Sequence, residues 1–307
     1  MANIVLQLSN TTQQQVERTY APYLIERKAP GVVFAAKLQD TAITSYKSGK
    51  VMFQGAGAER EAAKWQQLAT APVKAVTKGD TLPEKFAELS VIGSDETGTG
   101  DYFGPITVAA AYVPAEKIAL VRELGVKDSK QLTDDYIRQI APDLMHALHY
   151  SLLILRNEKY NDLQQKGYSQ GKMKGLLHNQ ALQKLLTKIA PEKPDYILID
   201  QFAERGVYYN YLKGSKAIVE ENVLFSTKAE NLHVAVATAS IIARYAFLLE
   251  MDKLSDKVGF TLPKGAGAKV DDIAARILRK SGEQQLQLLT KWHFANTEKA
   301  KKIAYKR

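Results

Sequence analysis

The 307-residue chain contains no cysteine, which excludes a disulfide framework and any thiolate zinc site. Histidine is scarce, with five residues, so no imidazole-rich set competes for a metal. No charged segment leading into an apolar stretch opens the chain, and no apolar run approaches the roughly 18 residues that span a bilayer. These absences predict a cytoplasmic protein with no membrane partner. What is present is a hydrophobic content of 45%, enough for a sizeable core. The length is comfortable for two domains at a prior of about 150 residues each. A net charge of +9 is concentrated late in the chain, where residues 256–307 hold 12 Lys/Arg against 5 Asp/Glu. Clustered positive charge suits a polyanion binder. Solvated lysine-rich helices give the same excess, so charge alone leaves both readings open.

The first 70 residues have the pattern of a small α+β module. Ile4-Val5-Leu6 and Val32 to Leu38 predict strands, with a helix from Thr11 to Tyr23 between them. Ile43 to Lys47 and Val51 to Phe53 flank Ser48-Gly49-Lys50 as a hairpin, and Glu59 to Leu68 reads as a helix. Residues 71–86 lack a period and are rich in Ala, Pro, Lys and Thr, which marks a linker. A second domain follows over 87–307. Its expected strands are Val91-Ile92-Gly93, Ile106 to Val113, Ser151 to Leu155 and Tyr196 to Asp200. Its expected helices are Thr133 to Met145, Lys172 to Ile189 and Val234 to Leu249.

Chemistry enters at Asp95-Glu96-Thr97-Gly98-Thr99-Gly100-Asp101, where an apolar strand runs into a glycine-rich turn. Adjacent carboxylates are hard ligands for Mg²⁺ or Mn²⁺. Gly98 and Gly100 lack the Cβ atoms that would keep a nucleic-acid backbone from the main chain. Asp200 ends a strand, where α/β folds collect ligands, although a strand-terminal Asp also caps helices or forms turns. Glu230 precedes a small-residue helix and reads as a further ligand or as a capping carboxylate. Four such acids suffice for two-metal phosphodiester hydrolysis.

The run Gly93 to Pro105, the segment Val126-Lys127-Asp128-Ser129-Lys130-Gln131-Leu132, the strand Ile197 to Gln201 and Ala239 to Arg244 together resemble the type 2 ribonucleases H, in matching order. Lys172-Met173-Lys174 with His178-Asn179, Glu230 and Pro263 to Asp271 bring the likeness closer to bacterial ribonuclease HIII. The resemblance implies a ribonuclease H-like mixed sheet flanked by helices, preceded by a module similar to the TATA-binding-protein fold. It implies cleavage of the RNA strand of RNA/DNA hybrids to 5′-phosphate and 3′-hydroxyl ends by a monomer needing Mg²⁺ or Mn²⁺. Asp95, Glu96, Asp200 and Glu230 take the places of the catalytic acids.

Gly98, Thr99, Gly100, Ser129, Lys130, Lys172 and Lys174 become candidates for substrate contact, as do His178 and Asn179. Tyr46, Lys47 and Lys50 on the N-terminal hairpin are candidates for holding the hybrid. Asp128-Ser129-Lys130 also fits a helix cap, and His178 and Asn179 also fit core polar groups. Aromatic residues of the hairpin also fit a core. Ribonuclease HII carries Gly-Arg-Gly where this chain has Gly98-Thr99-Gly100, so junction recognition is expected to be weak. Two further functions fit the sequence: a junction-specific ribonuclease HII and a catalytically silent RNA/DNA-binding protein.

Overall fold

A computed structural model describes residues 3–27, 29, 31–69, 79–126 and 132–305. Contacts divide the chain into two compact units, Met1–Thr77 and Lys78–Arg307.

The first unit is a five-stranded antiparallel sheet with the order β1-β5-β4-β3-β2. Its strands are β1 (Asn3–Gln7), β2 (Leu24–Ile25), β3 (Val32–Lys37), β4 (Thr41–Tyr46) and β5 (Lys50–Gly55). Helices α1 (Asn10–Thr19) and α2 (Ala58–Ala63) complete it. Val16, Ala58, Ala62 and Trp65 meet Leu6, Phe34, Ile43, Val51 and Phe53 in one core. The helix expected to reach Tyr23 stops at Thr19, because Pro22 disfavours continued helix and the chain turns into the short strand β2.

The second unit holds a mixed sheet in the order β10-β9-β6-β7-β8. Its members are β6 (Val91–Thr97), β7 (Ile106–Val113), β8 (His149–Leu155), β9 (Tyr196–Asp200) and β10 (Val223–Ser226). The central strand β6 pairs antiparallel with β7 and parallel with β9. The helices are α3 (Ile118–Glu123), α4 (Asp134–Ala147), α5 (Asn157–Gln165), α6 (Gln170–Ile189), α7 (Arg205–Leu212), α8 (Val234–Val258), α9 (Ala268–Leu289) and α10 (Ala295–Tyr305). One face of the sheet packs on α8, with α4 and α9 behind it, and the other packs on α6 and α7. Every residue of β7 is buried, which is why it reads as an unbroken apolar run.

Three expectations change here. Residues Gly79 to Phe86, assigned to a linker by composition, pack into the second unit: Gly79 bridges to Ser226, Asp80 N donates to Phe225 O, and Phe86 is buried. The helix α8 extends to Val258, so among the described residues one element is long and apolar enough to cross a membrane. It serves as the core helix, covering β6 and β7. The expected strand Val91-Ile92-Gly93 continues to Thr97, so the acidic pair lies on a strand and not in the turn after it.

His233 fixes the start of α8. Its Nδ1 accepts from Ala235 N at 3.0 Å and its Nε2 donates to Leu89 O at 3.1 Å. Burial pushes the imidazole down from 6.5 to about 4, and the charge of Arg122 adds to the fall against the pull of the Leu89 bond. Below about 6.5 the unfolded chain takes up a proton that the folded chain refuses until about 4. Stability is therefore lost as pH falls through that window, by about 3 kcal/mol for a shift of this size. His233→Asn keeps a capping oxygen and removes the titration. Urea melts of both proteins from pH 7 to pH 4 are expected to diverge by that amount, and parallel curves would rule His233 out as the source.

Candidate active site

The register of β6 and β9 builds the site. Ser94 aligns with Ile199, so Asp95 and Asp200 follow at the same level on neighbouring parallel strands. Both lie on the α8 face of the sheet, the face on which Val91 and Leu198 enter the core. Asp200 Oδ1 accepts from Ala229 N at 3.0 Å, which ties the end of β9 to the turn Ala229–Asn231 that carries Glu230. Asp95, Glu96, Asp200, Glu230, Ser240 and Arg244 line one cleft of about 460 Å³.

The two adjacent acids of β6 meet opposite electrostatic surroundings. Burial raises the Asp95 carboxyl, the neighbouring Glu96 and Asp200 charges raise it further, and the result is about 8 despite a bond from Ser240. Glu96 behaves oppositely. Strand alternation turns it to the α6 face, where Lys174 Nζ lies 2.7 Å from Oε1 and His178 Nε2 lies 3.0 Å from Oε2. Burial pushes Glu96 up, but His178 and Lys174 outweigh it and hold the carboxyl below its usual range.

Among the described residues, no three His, Cys, Asp or Glu side chains gather into a finished metal cage. The all-oxygen set of Asp95, Asp200 and Glu230 nevertheless suits a hard cation that keeps waters and completes its shell with substrate phosphate.

The turn after β6 is held from behind. Gly98 has φ +93, and a Cβ there would lie 2.2 Å from Pro105 O. Its glycine is thus required by the turn itself and not by an approaching ligand. Gly100 is different, because it is exposed and a Cβ would meet open space. Gln170 Nε2 donates to Thr99 O at 3.0 Å. Lys291, fully buried, donates to Asp101 O at 2.7 Å and Gly104 O at 2.6 Å. Burial pushes its ammonium down to about 7, against the pull of Asp101. Gly265 N donates to Asp101 Oδ1 at 2.6 Å, so the 263–269 segment also braces this turn. On the far rim Asp134 joins Arg244, at 2.9 Å, to Lys264.

Other sequence candidates distribute as follows. Lys174 and His178 both address Glu96. Asn179 is outside the cleft, with Nδ2 donating to Ala217 O at 2.9 Å and Oδ1 accepting from Val219 N at 2.9 Å, and is a core polar group. Lys172 stands over the Tyr168 ring. Ser129 and Lys130 lie outside the described residues. In the first unit Lys47 and Lys50 are exposed, Tyr46 is half-buried and Phe53 belongs to the core. Sequence reasoning missed Ser240, Lys291 and Asp134. Ser240 and Arg244 lie four apart on one face of α8, a spacing that could have flagged them.

A family model described as Ribonuclease HII matches residues 92–297, and one for a domain of unknown function, DUF3378, matches residues 3–78. Ribonuclease HIII of Lysinibacillus sphaericus is 67% identical over 307 residues, covering 99% of this chain and 100% of that protein. Ribonuclease HIII of Bacillus subtilis is 53% identical over 312 residues, covering 100% and 99%. The crystal structure of Bst-RNase HIII in complex with Mn²⁺ is 49% identical, covers both chains fully and superposes with a TM-score of 0.72. With this fold, this cleft and these relatives, the chain belongs to the ribonuclease HII family, in its ribonuclease HIII group.

Proposed function

We infer that the protein is an endoribonuclease that hydrolyses the RNA strand of RNA/DNA hybrids, leaving 5′-phosphate and 3′-hydroxyl ends. Asp95, Glu96, Asp200 and Glu230 are its catalytic acids and the ligands of Mg²⁺ or Mn²⁺. The observation that carries this reading is the side-by-side placement of Asp95 and Asp200 on parallel strands, with Asp95 pushed up to about 8 by burial and by its acidic neighbours. Burial and neighbouring negative charge both disfavour the ionised Asp95 carboxylate, and a divalent cation would offset both. When bound, such ions activate water and neutralise the leaving 3′ oxygen.

The chain's own groups do the holding. Ser240 steadies Asp95, Ala229 N steadies Asp200, and Lys174 with His178 orients Glu96. Choice of the RNA strand rests on the 2′-hydroxyl, the group that separates RNA from DNA. The exposed Gly100 leaves the main chain open to it, and Gln170 fixes the adjoining Thr99 carbonyl. In the first unit Tyr46, Lys47 and Lys50 provide a ring and two cations for tethering the hybrid, a role that we assign to this unit. We further assign a monomer acting in the cytoplasm.

A panel of end-labelled duplexes tests the reading. With Mg²⁺, the RNA strand of a hybrid is expected to be cut while its DNA strand and an all-DNA duplex stay intact. A duplex with one embedded ribonucleotide is expected to be cut about 10- to 100-fold more slowly, because Thr99 cannot supply the charge-assisted contact of an arginine. Equal rates would favour the junction-specific reading, and binding without cleavage would favour the silent binder.

A further inference from the structure

Glu96 has nitrogen partners on both carboxylate oxygens before any ion arrives, and the two partners differ in freedom. His178 is fully buried, its Nδ1 lies 2.7 Å from Ser94 Oγ, and its ring stacks on Phe202 at 5.2 Å. Ser94 is itself committed, donating to Ala109 O at 3.1 Å. Lys174 is 12% exposed, ends a flexible stem and stands 4.2 Å over the centroid of the Phe202 ring. His178 is built to stay and Lys174 is able to leave.

A divalent ion placed on Glu96 meets the Lys174 ammonium, which already occupies the carboxylate at 2.7 Å. Like charges at such range, partly shielded from water, oppose one another strongly. A phosphate offers the ammonium an equivalent partner, since lysine binds phosphate as a compact point charge. We propose that Lys174 is a positioning residue that acts as an internal stand-in cation, occupying Glu96 in the free protein and passing to a hybrid phosphate when a divalent ion is captured there. Ion capture and hybrid binding are then coupled, and each tightens the other by the same factor. The proposal rests on the reading of Glu96 as a metal ligand.

The test measures Mn²⁺ binding by electron paramagnetic resonance on the full chain, alone and with a hybrid whose RNA strand is 2′-fluoro-substituted against cleavage. In the wild type the hybrid is expected to tighten Mn²⁺ binding on the order of tenfold. Lys174→Met is expected to bind Mn²⁺ tighter by a similar factor without hybrid, and to gain less than the wild type when hybrid is added. Lys174→Arg, which keeps the charge, is expected to retain the weak binding and the coupling. Lys174→Gln, which keeps a donor to Glu96 without charge, is expected to follow Lys174→Met and replaces it if that variant does not fold. Wild-type Mn²⁺ affinity and undiminished coupling in the uncharged variants would overturn the exchange, with Glu96 still a ligand. Wild-type Mn²⁺ affinity in Glu96→Gln would overturn the ligand reading and the exchange with it.

Discussion

Asp200→Asn is expected to lower turnover on an RNA/DNA hybrid by about 10⁴-fold, the scale on which an Asp-to-Asn change in a catalytic constellation falls. The substitution conserves volume and removes one negative charge from the cleft. The local fold survives it, because an asparagine oxygen still accepts from Ala229 N and the turn bearing Glu230 keeps its anchor. Thermal midpoint and hybrid affinity should therefore stay near wild type while multiple-turnover cleavage collapses. Undiminished cleavage at saturating Mg²⁺ would remove Asp200 from the catalytic set. Loss of activity together with loss of folding would mean that Asp200 serves the turn alone.

Gly93→Ala is expected to be among the most damaging single methyl additions in the second unit. A Cβ at Gly93 would lie 2.2 Å from both Ala235 C and Val236 N, main-chain atoms at the start of α8 that cannot rotate aside. The helix would have to lift off β6. Overpacking costs about 1–3 kcal/mol where side chains can yield, and backbone against backbone puts this case at the upper end or beyond. A loss of about 3 kcal/mol corresponds to a fall of roughly 10 °C in the thermal midpoint of a unit this size. Activity should fall too, since lifting α8 draws Ser240 away from Asp95 two residues along the strand. Calorimetry of the variant, read beside hybrid cleavage below its midpoint, checks both. A midpoint within about 1 °C of wild type would show that α8 can yield at this contact.

The sequence made β7 and β9 plain, because strands buried on both faces are unbroken apolar runs. It hid the second half of β6, since Ser94, Asp95, Glu96 and Thr97 have the composition of a turn. Their backbone is claimed by pairing with Ala110, Ala109, Val108 and Thr107, and that pairing overrides local preference. The four acids were legible as a constellation of strand and helix ends, and the cleft brings them together. The division of Asp95 and Glu96 between opposite faces was not, because it depends on the strand continuing through them. The contacts of Lys174 and His178 with Glu96 were hidden for the same reason: only a strand-borne Glu96 reaches α6. Lys291 was counted into a basic tail, whereas its ammonium is buried against the carbonyls of the glycine turn. No local pattern distinguishes a solvated lysine from such a staple.

The most direct measurement uses the full chain bound to a hybrid with a labelled RNA strand, stripped of divalent ions by a chelator and then supplied with Mg²⁺ in steps. The account predicts no cleavage before Mg²⁺ is added, a rate that rises with Mg²⁺ more steeply than first order, and products with 5′-phosphate and 3′-hydroxyl ends. Cleavage that persists in the chelator would remove the divalent ion from the reaction, a 2′,3′-cyclic phosphate would mean that the 2′-hydroxyl and not water attacks the phosphorus, and either result would contradict it.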